Sequence, residues 1–340
     1  MKLVDTKDAV GQMLCHDITQ IIPGKVKDAV FRKGHIITEE DIPILLSVGK
    51  EHIYIWETNE NMMHENDAAQ VLYDLSAGAN MHASGVKEGK IELIADCDGL
   101  LKIDRERLNT VNSFGEMMIA SRHGNFAVKK GDKIAGTRII PLIIEKEKMQ
   151  KVQAAVDGAK IFNILPFKAK KYGIVTTGSE VFSGRIEDQF TPVLVSKLKP
   201  FGGEMVGHAV CGDDHAMITE KILEMLDLGA EFVLCSGGMS VDPDDRTPLA
   251  IKNTGAKIVT YGAPVLPGAM FMLSYYGENN IPIVGLPGCV MYAKRTIFDL
   301  VLPRIMADDI MTKEDLDLLG EGGLCLDCDV CTFPNCGFGK

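Results

Sequence analysis

Phe232-Val233-Leu234-Cys235-Ser236-Gly237-Gly238-Met239-Ser240, with Asp242, Asp244 and Asp245 just behind it, is the stretch whose reading decides the fold. The apolar run at its start reads as a buried strand. The two glycines let the backbone turn sharply and bring bare N–H groups close to a ligand. Ser236 and Ser240 add hydroxyls that can bond phosphate oxygens, and the three carboxylates could hold a divalent metal. A small-residue loop at a strand end is where open α/β sheets bind ligands. Taken alone, a Gly-Gly pair after a strand is most often a plain turn.

Companions recur along the C-terminal half. Tyr172 to Glu180 reads as a strand ending in the loop Thr176-Thr177-Gly178-Ser179-Glu180. Val265-Leu266-Pro267-Gly268-Ala269 and Leu286-Pro287-Gly288-Cys289 supply two Pro-Gly turns. Between these loops, strand and helix patterns alternate. Thr191 as N-cap with Pro192 in the first turn opens a helix carrying Leu194, Val195, Leu198 and Phe201 on one face. A strand is expected near Glu204–Val210. A helix over 215–228 follows, with Ile218, Ile222, Met225 and Leu226 in one stripe. Thr247-Pro248 starts a short helix by the same cap-and-proline device. Lys257–Tyr261, Met270–Tyr275 and Ile281–Leu286 read as strands, and 290–306 as a closing helix. Repeated β-α units imply a largely parallel sheet covered on both faces.

The first half is less regular. Residues 1–58 form an α+β region with a strand from Asp17 to Ile22, a turn-rich Phe31–Ile37, an acidic helix start at Thr38-Glu39-Glu40-Asp41, and a strand from His52 to Trp56. Glu57 to Asn66 is polar and reads as a linker. Residues 67–167 form a mixed, β-rich domain with strands at Ile91–Ala95, Phe126–Val128 and Arg138–Ile144. Turns at Lys130-Gly131-Asp132 and Ala135-Gly136-Thr137 separate the last two.

The chain has 340 residues, enough for two or three domains with sizeable cores, and 46% of them are hydrophobic, so it is globular. A formal net charge of −11 argues against a general nucleic-acid or anionic-membrane binder. No apolar run reaches membrane-span length, and Met1-Lys2 leads into Asp5, Lys7 and Asp8 with no apolar core; a cytoplasmic location is expected.

Thr-Thr-Gly-Ser-Glu at 176–180, Ser-Gly-Gly-Met-Ser at 236–240 and the two Pro-Gly turns together resemble the molybdopterin-binding domain shared by MogA-like adenylyltransferases and MoeA-like molybdenumtransferases. The resemblance spans about 168–306. Asp8-Ala9-Val10-Gly11-Gln12-Met13-Leu14 and Gly131-Asp132-Lys133-Ile134-Ala135-Gly136 are similar to segments of the MoeA-like arrangement. The resemblance implies a three-layer α/β/α domain, a homodimer, and a reaction that consumes adenylylated molybdopterin and molybdate, or tungstate, releases AMP and leaves the metal on the dithiolene for a molybdoenzyme client. It assigns Thr176, Thr177, Gly178, Ser179, Ser236, Gly237, Gly238, Met239, Ser240, Pro267, Gly268, Pro287 and Gly288 to ligand binding. Glu180, Asp214 and Asp245 are matched to catalysis, and Asp213 and Asp244 to a magnesium ion on the pyrophosphate. Simpler readings stand beside these: helix capping for Asp213 and Asp214, turn chemistry for Asp245, a solvated charge for Glu180. His208 and His215 read as surface or cap residues. Lys294 and Arg295, early in the last helix, could offer charge to phosphates or form a solvated face.

Two departures open further readings. The Met-Asp-Gly-Tyr-Ala motif of MoeA-like enzymes is absent; Asp96-Cys97-Asp98-Gly99-Leu100 is the nearest stretch. A non-catalytic carrier or sensor of the molybdenum or tungsten cofactor is therefore an alternative. CinA-type domains share the Gly-Gly loop followed by Pro-x-Asp-Asp, here Pro243-Asp244-Asp245, and imply a nucleotide pyrophosphate hydrolase instead.

Of nine cysteines, Cys15, Cys97, Cys211, Cys235 and Cys289 are scattered, as reduced thiols would be. Cys325, Cys328, Cys331 and Cys336 cluster in a Cys-rich tail, 320–340, after a flexible Gly320-Glu321-Gly322-Gly323 segment. Their spacing, Cys-x2-Cys-x2-Cys-x4-Cys, suits a [4Fe–4S] cluster or Zn2+.

Overall fold

The computed structural model describes residues 2–22, 26–55, 60–240, 242 and 245–340, and the chain divides into two units. The first comprises Met1–Asp96, Ile103–Arg122 and Gly131–Asn163. Its opening segment pairs Lys2–Asp5 with His52–Ile55 and Ile18–Ile22 with Val26–Phe31, both antiparallel. Ala9, Leu14, Ile18, Ile37, Leu45 and Ile53 form a small core there. Trp56, expected to end a strand, lies outside the described residues.

A four-stranded antiparallel sheet follows, in the order Met81–Ala83, Lys90–Ala95, Lys133–Ile139, Met117–Ser121. Two expectations change here. Ala135-Gly136-Thr137 is not a turn: all three residues pair with Lys90–Ala95 on one side and Met117–Ser121 on the other, at the centre of the sheet. The supposed linker also supplies structure, since Met62–His64 pairs with Ile143–Glu145 and a helix starts at Glu65. His64 caps that helix by accepting from the Asn66 N–H at 3.1 Å.

The second unit comprises Cys97–Lys102, His123–Lys130 and Ile164–Lys340. Its frame is β1 (Lys171–Thr177), α1 (Ser179–Phe182), α2 (Phe190–Leu198), β2 (Glu204–Cys211), α3 (His215–Asp227), β3 (Phe232–Ser236), α4 (Thr247–Asn253), β4 (Lys257–Tyr261), β5 (Met272–Tyr276), β6 (Ile281–Leu286), α5 (Ile297–Met306) and α6 (Lys313–Asp317). The sheet order is β2-β1-β3-β6-β5-β4. The first four are parallel neighbours; β5 adds antiparallel to β6, and β4 antiparallel to β5.

Period-two alternation builds the layers. Tyr172, Ile174, Phe232 and Leu234 face one side, against Leu194 and Leu198 of α2 and Phe298, Val301 and Ile305 of α5. Val175, Val233 and Cys235 face the other, against Ile218, Ile222 and Met225 of α3 and Ala250 and Ile251 of α4. Each fully buried Leu, Ile or Phe contributes about 1.5–3 kcal/mol against exposure. The α/β/α arrangement expected from the repeated β-α units is present.

Three helix starts differ from the expectation, because the side chains expected to cap them bond elsewhere or other residues do the capping. The helix before β2 begins at Phe190, and its N–H groups at Phe190 and Thr191 donate to Asp188 Oδ1 at 2.8 and 3.1 Å. Thr191 is not the cap; its hydroxyl donates to Asp188 Oδ2 at 2.6 Å. Thr247 lies inside α4 and donates its hydroxyl to the Gly237 carbonyl at 2.9 Å. The closing helix begins at Ile297 rather than 290, where Thr296 and Asp299 form a capping box. Lys294 and Arg295 therefore precede that helix.

The tail is not a loose appendage on a flexible glycine hinge. A Cβ on Gly323 would fall against the Pro264 and Leu319 carbonyl oxygens, so the chain is pressed close there. Gly339 N–H donates to the Gly322 carbonyl at 2.9 Å and closes residues 322–339 into a loop. Phe338 is buried in the domain core. No described helix is long and apolar enough to cross a membrane.

Candidate functional site

Four loops meet at one edge of the sheet. The parallel strands β1, β3 and β6 end there in Thr177-Gly178-Ser179, Gly237-Gly238 and Pro287-Gly288. Antiparallel β5 starts at the same edge, its Met272 opposite Gly285, so the Pro267-Gly268 loop that precedes it joins them.

The Gly-Gly turn is wedged in place. Gly237 and Gly238 both have positive φ, at 90° and 57°. A Cβ on Gly238 would lie 2.7 Å from Thr247 Oγ1. Thr177 and Thr247 hydroxyls are 3.1 Å apart beneath the turn. Ser240 N–H donates to Asp245 Oδ2 at 2.7 Å, closing the loop onto its own carboxylate. Tyr261 OH donates to the Met239 carbonyl at 3.0 Å from the side. Burial, and then the Asp245 charge, push the Tyr261 hydroxyl upward, so it keeps that proton.

These contacts shape a cavity of about 440 Å3 lined by Gly237, Gly238, Ser240, Asp245, Gly268 and Gly288, among others. That size suits a small organic ligand, for which pockets run to roughly 300–1,000 Å3. Met239 and Pro287 also line it; Met239 is buried and packs its methyl against Gly285, so it anchors the loop. Cys289 is in the wall as well, its thiol pushed up by burial and so held neutral. Pro267 fixes the neighbouring loop through its carbonyl, which accepts from Ile297 N–H at 3.2 Å. Ser236 Oγ is fully buried with no hydrogen-bond partner among the described residues. A larger cavity of about 520 Å3 lies elsewhere in this unit, lined by Lys170, Asp308 and Tyr275, and shares none of these loop residues.

The first loop is held by its own network. Ser179 donates through N–H and Oγ to Asp213 Oδ2, at 3.0 and 2.5 Å. Gly178 N–H donates to the Cys211 carbonyl, and Glu180 is exposed. Asp214 caps α3, accepting from Ala216 and Met217 N–H at 2.7 and 3.2 Å, and these bonds hold its carboxyl below the usual range. Asp244 lies outside the described residues. Among the described residues, no three His, Cys, Asp or Glu side chains converge on one point where a metal ion could sit.

Sequence reasoning passed over Asp188. Its Oδ2 accepts from Thr176 and Thr191 hydroxyls and lies 3.2 Å from His208 Nε2. Burial pushes this carboxyl up, but the hydrogen bonds from Thr191, Phe190 and Thr176 outweigh it and hold it below the usual range. The available signal was its spacing, an aspartate three residues before a threonine at a helix start. Tyr261, too, shows in the sequence only as a strand end.

Comparison with known proteins bears on the same segment. Residues 173–307 match a family described as "Probable molybdopterin binding domain". Residues 3–57 match a family described as a domain of unknown function (DUF8806). A CinA-like protein of Mycobacterium tuberculosis is 36% identical over 75 residues, 22% of this chain and 17% of the relative, so the chain spans under a fifth of the length of that curated relative. Among solved structures, the tungsten cofactor synthesizing protein MoaB from Pyrococcus furiosus is 22% identical with a TM-score of 0.32, covering 36% of this chain and 84% of that one. A molybdenum cofactor biosynthesis protein from the same organism is 12% identical with a TM-score of 0.27, covering 92% of this chain and 65% of that one.

Proposed function

We propose that the 440 Å3 cavity binds molybdopterin, free or adenylylated, and that the chain acts in molybdenum cofactor biosynthesis by metal insertion with release of AMP. The observation that carries this reading is the wedged Gly237-Gly238 turn with Asp245 bonded across its mouth, inside a segment that matches a molybdopterin binding family. Bare backbone at a strand end lets a phosphate approach closely, and Ser236 and Ser240 add hydroxyls. Asp245, with Asp244 beside it in sequence, would hold Mg2+, which needs only one or two carboxylates when substrate phosphates and water complete its shell. Bound there, the ion would neutralise pyrophosphate charge. Glu180 and Ser179 would approach the adenylyl end from the first loop, with Asp213 positioning Ser179. Molybdate or tungstate, a homodimeric assembly and a molybdoenzyme client belong to the same reading.

The test is anaerobic incubation of the full chain with adenylylated molybdopterin, Mg2+ and molybdate, followed by measurement of AMP. Molybdate-dependent release that disappears in Asp245→Ala supports insertion. Tight binding with no release, in a chain lacking Met-Asp-Gly-Tyr-Ala, makes it a carrier or sensor of the cofactor. The 75-residue similarity to CinA-like proteins supports a second reading, hydrolysis of nucleotide pyrophosphates. Turnover of an ADP-ribose-like substrate without molybdopterin binding would establish that one instead.

A further inference from the structure

We propose that Cys325, Cys328, Cys331 and Cys336 hold an iron–sulfur cluster of the [4Fe–4S] type, in a cavity of their own on the second unit. All four line one space of about 190 Å3, with Lys294 and Arg295 in its wall. None of the other five cysteines lines it. Packing does not explain Cys328 and Cys331. Cys328 and Cys331 are exposed, whereas a cysteine kept for packing is among the most buried residue types.

The tail is pre-folded to present them. Its loop is closed by the Gly339–Gly322 bond and seated by the buried Phe338. Leu266 N–H donates to the Gly323 carbonyl, and Cys325 N–H to the Leu266 carbonyl, both at 2.8 Å. Cys325, Cys336 and Phe333 pack against the core. The four cysteines thus line one cavity in the folded chain.

A zinc ion and a cluster place different demands on four thiolates. A single zinc ion with Zn–S bonds of about 2.3 Å needs its thiolates gathered around one point. A cubane cluster offers a separate iron to each thiolate, so its ligands stand further apart around a larger body. Four thiols distributed around a cavity fit the second requirement. On binding, each thiol gives up its proton to solvent and forms one Fe–S bond, with iron and sulfide supplied as such.

Charge and shielding fit as well. Four thiolates around a cluster form an anionic body. Lys294 Nζ donates to the Cys328 carbonyl at 2.8 Å, placing its charge on the loop between the cysteines. Arg295 Nε is buried with no hydrogen-bond partner among the described residues, and the guanidinium lies 4.9 Å from the centre of the Phe333 ring. A buried N–H donor left unsatisfied beside four thiols is accounted for once sulfide acceptors occupy the cavity. Phe333 and Phe338 supply apolar walls that limit water at the cluster.

The experiment is anaerobic reconstitution of the full chain with ferrous and ferric iron and inorganic sulfide. About four irons and four sulfides per chain, with broad visible absorption, are expected. A Cys328→Ser/Cys331→Ser double variant should keep its melting temperature, because both side chains are exposed, and lose the iron and the colour; Cys97→Ser should keep them. The wild-type protein reduced with dithionite should give a cluster signal in electron paramagnetic resonance, a readout that needs no variant. A colourless chain holding one zinc overturns the proposal, as do a chain that takes up no iron, a reduced sample with no cluster signal, and a folded double variant that keeps its iron.

Discussion

Gly237 stands so close to Thr177 that a Cβ there would lie 2.9 Å from the Thr177 hydroxyl oxygen and closer still to its carbonyl. The carbonyl belongs to β1 and cannot retreat. Gly237 also has φ of 90°, a region that side chains other than glycine's rarely adopt. Gly237→Ala should therefore cost about 1–3 kcal/mol of stability and abolish ligand binding. Gly288 is the control: a Cβ there meets nothing within 4 Å. Gly288→Ala should leave stability within about 0.5 kcal/mol while weakening the ligand whose approach it blocks. Denaturant titration and ligand binding measured on both variants would separate the two effects.

Ser236 Oγ, at the end of β3 directly before the turn, is buried with no hydrogen-bond partner among the described residues. A buried hydroxyl without a partner costs stability until a ligand bonds it. Ser236→Ala should raise the stability of the ligand-free protein by up to about 1 kcal/mol and lower ligand affinity about tenfold. An unchanged affinity would mean that Ser236 is a packing residue beneath the turn.

Asp188 makes stability depend on pH in a defined direction. Its folded-state carboxyl is held below the unfolded value of 3.8 by hydrogen bonds that outweigh burial. A depressed carboxyl contributes stability that is fully present above the unfolded value and is lost as pH falls through the folded one. Asp188→Asn should thus be less stable than wild type by about 2 kcal/mol at neutral pH. The gap should close as pH drops below the usual carboxylate range. Unfolding curves of both proteins from neutral to acid pH would show it; a gap that widens on acidification would contradict the assignment.

The sequence displayed the sheet of the second unit well because its central parallel strands, β1, β3 and β6, are buried on both faces. Phe232–Cys235 and Ile281–Leu286 are continuous apolar runs, and the loops after them carry glycine for steric reasons that any reading can see. What stayed hidden were residues whose role is set by side-chain partners that no periodicity marks. Thr191 and Thr247 have the composition of N-caps, yet their hydroxyls go to Asp188 and to the Gly237 carbonyl. Asp188 sits in a stretch with no periodicity and gains meaning only when Thr176 and His208 arrive from β1 and β2. Gly136 looked like a turn, since nothing local shows that a strand will pair on both sides. The four tail cysteines were legible as a group from spacing alone; the cavity that gathers them depends on Phe338 and Gly322 closing the loop.

Asp299 joins two of these themes. It completes the capping box of α5 by accepting from Thr296 N–H at 2.9 Å, and it is nearly fully buried. Lys197 of α2 donates to both of its oxygens, at 2.7 and 2.8 Å, and Arg295 reaches Oδ1 at 2.8 Å. Removing one partner of a buried pair leaves the other charge uncompensated. Asp299→Ala should cost about 3–5 kcal/mol, more than loss of a helix cap alone, which is worth about 1 kcal/mol. Pairing it with Lys197→Met should recover part of that loss, because the stranded ammonium is then gone. A double-mutant cycle read by denaturant unfolding checks this. Purely additive losses would show that capping of α5, rather than the ion pair, is what Asp299 contributes.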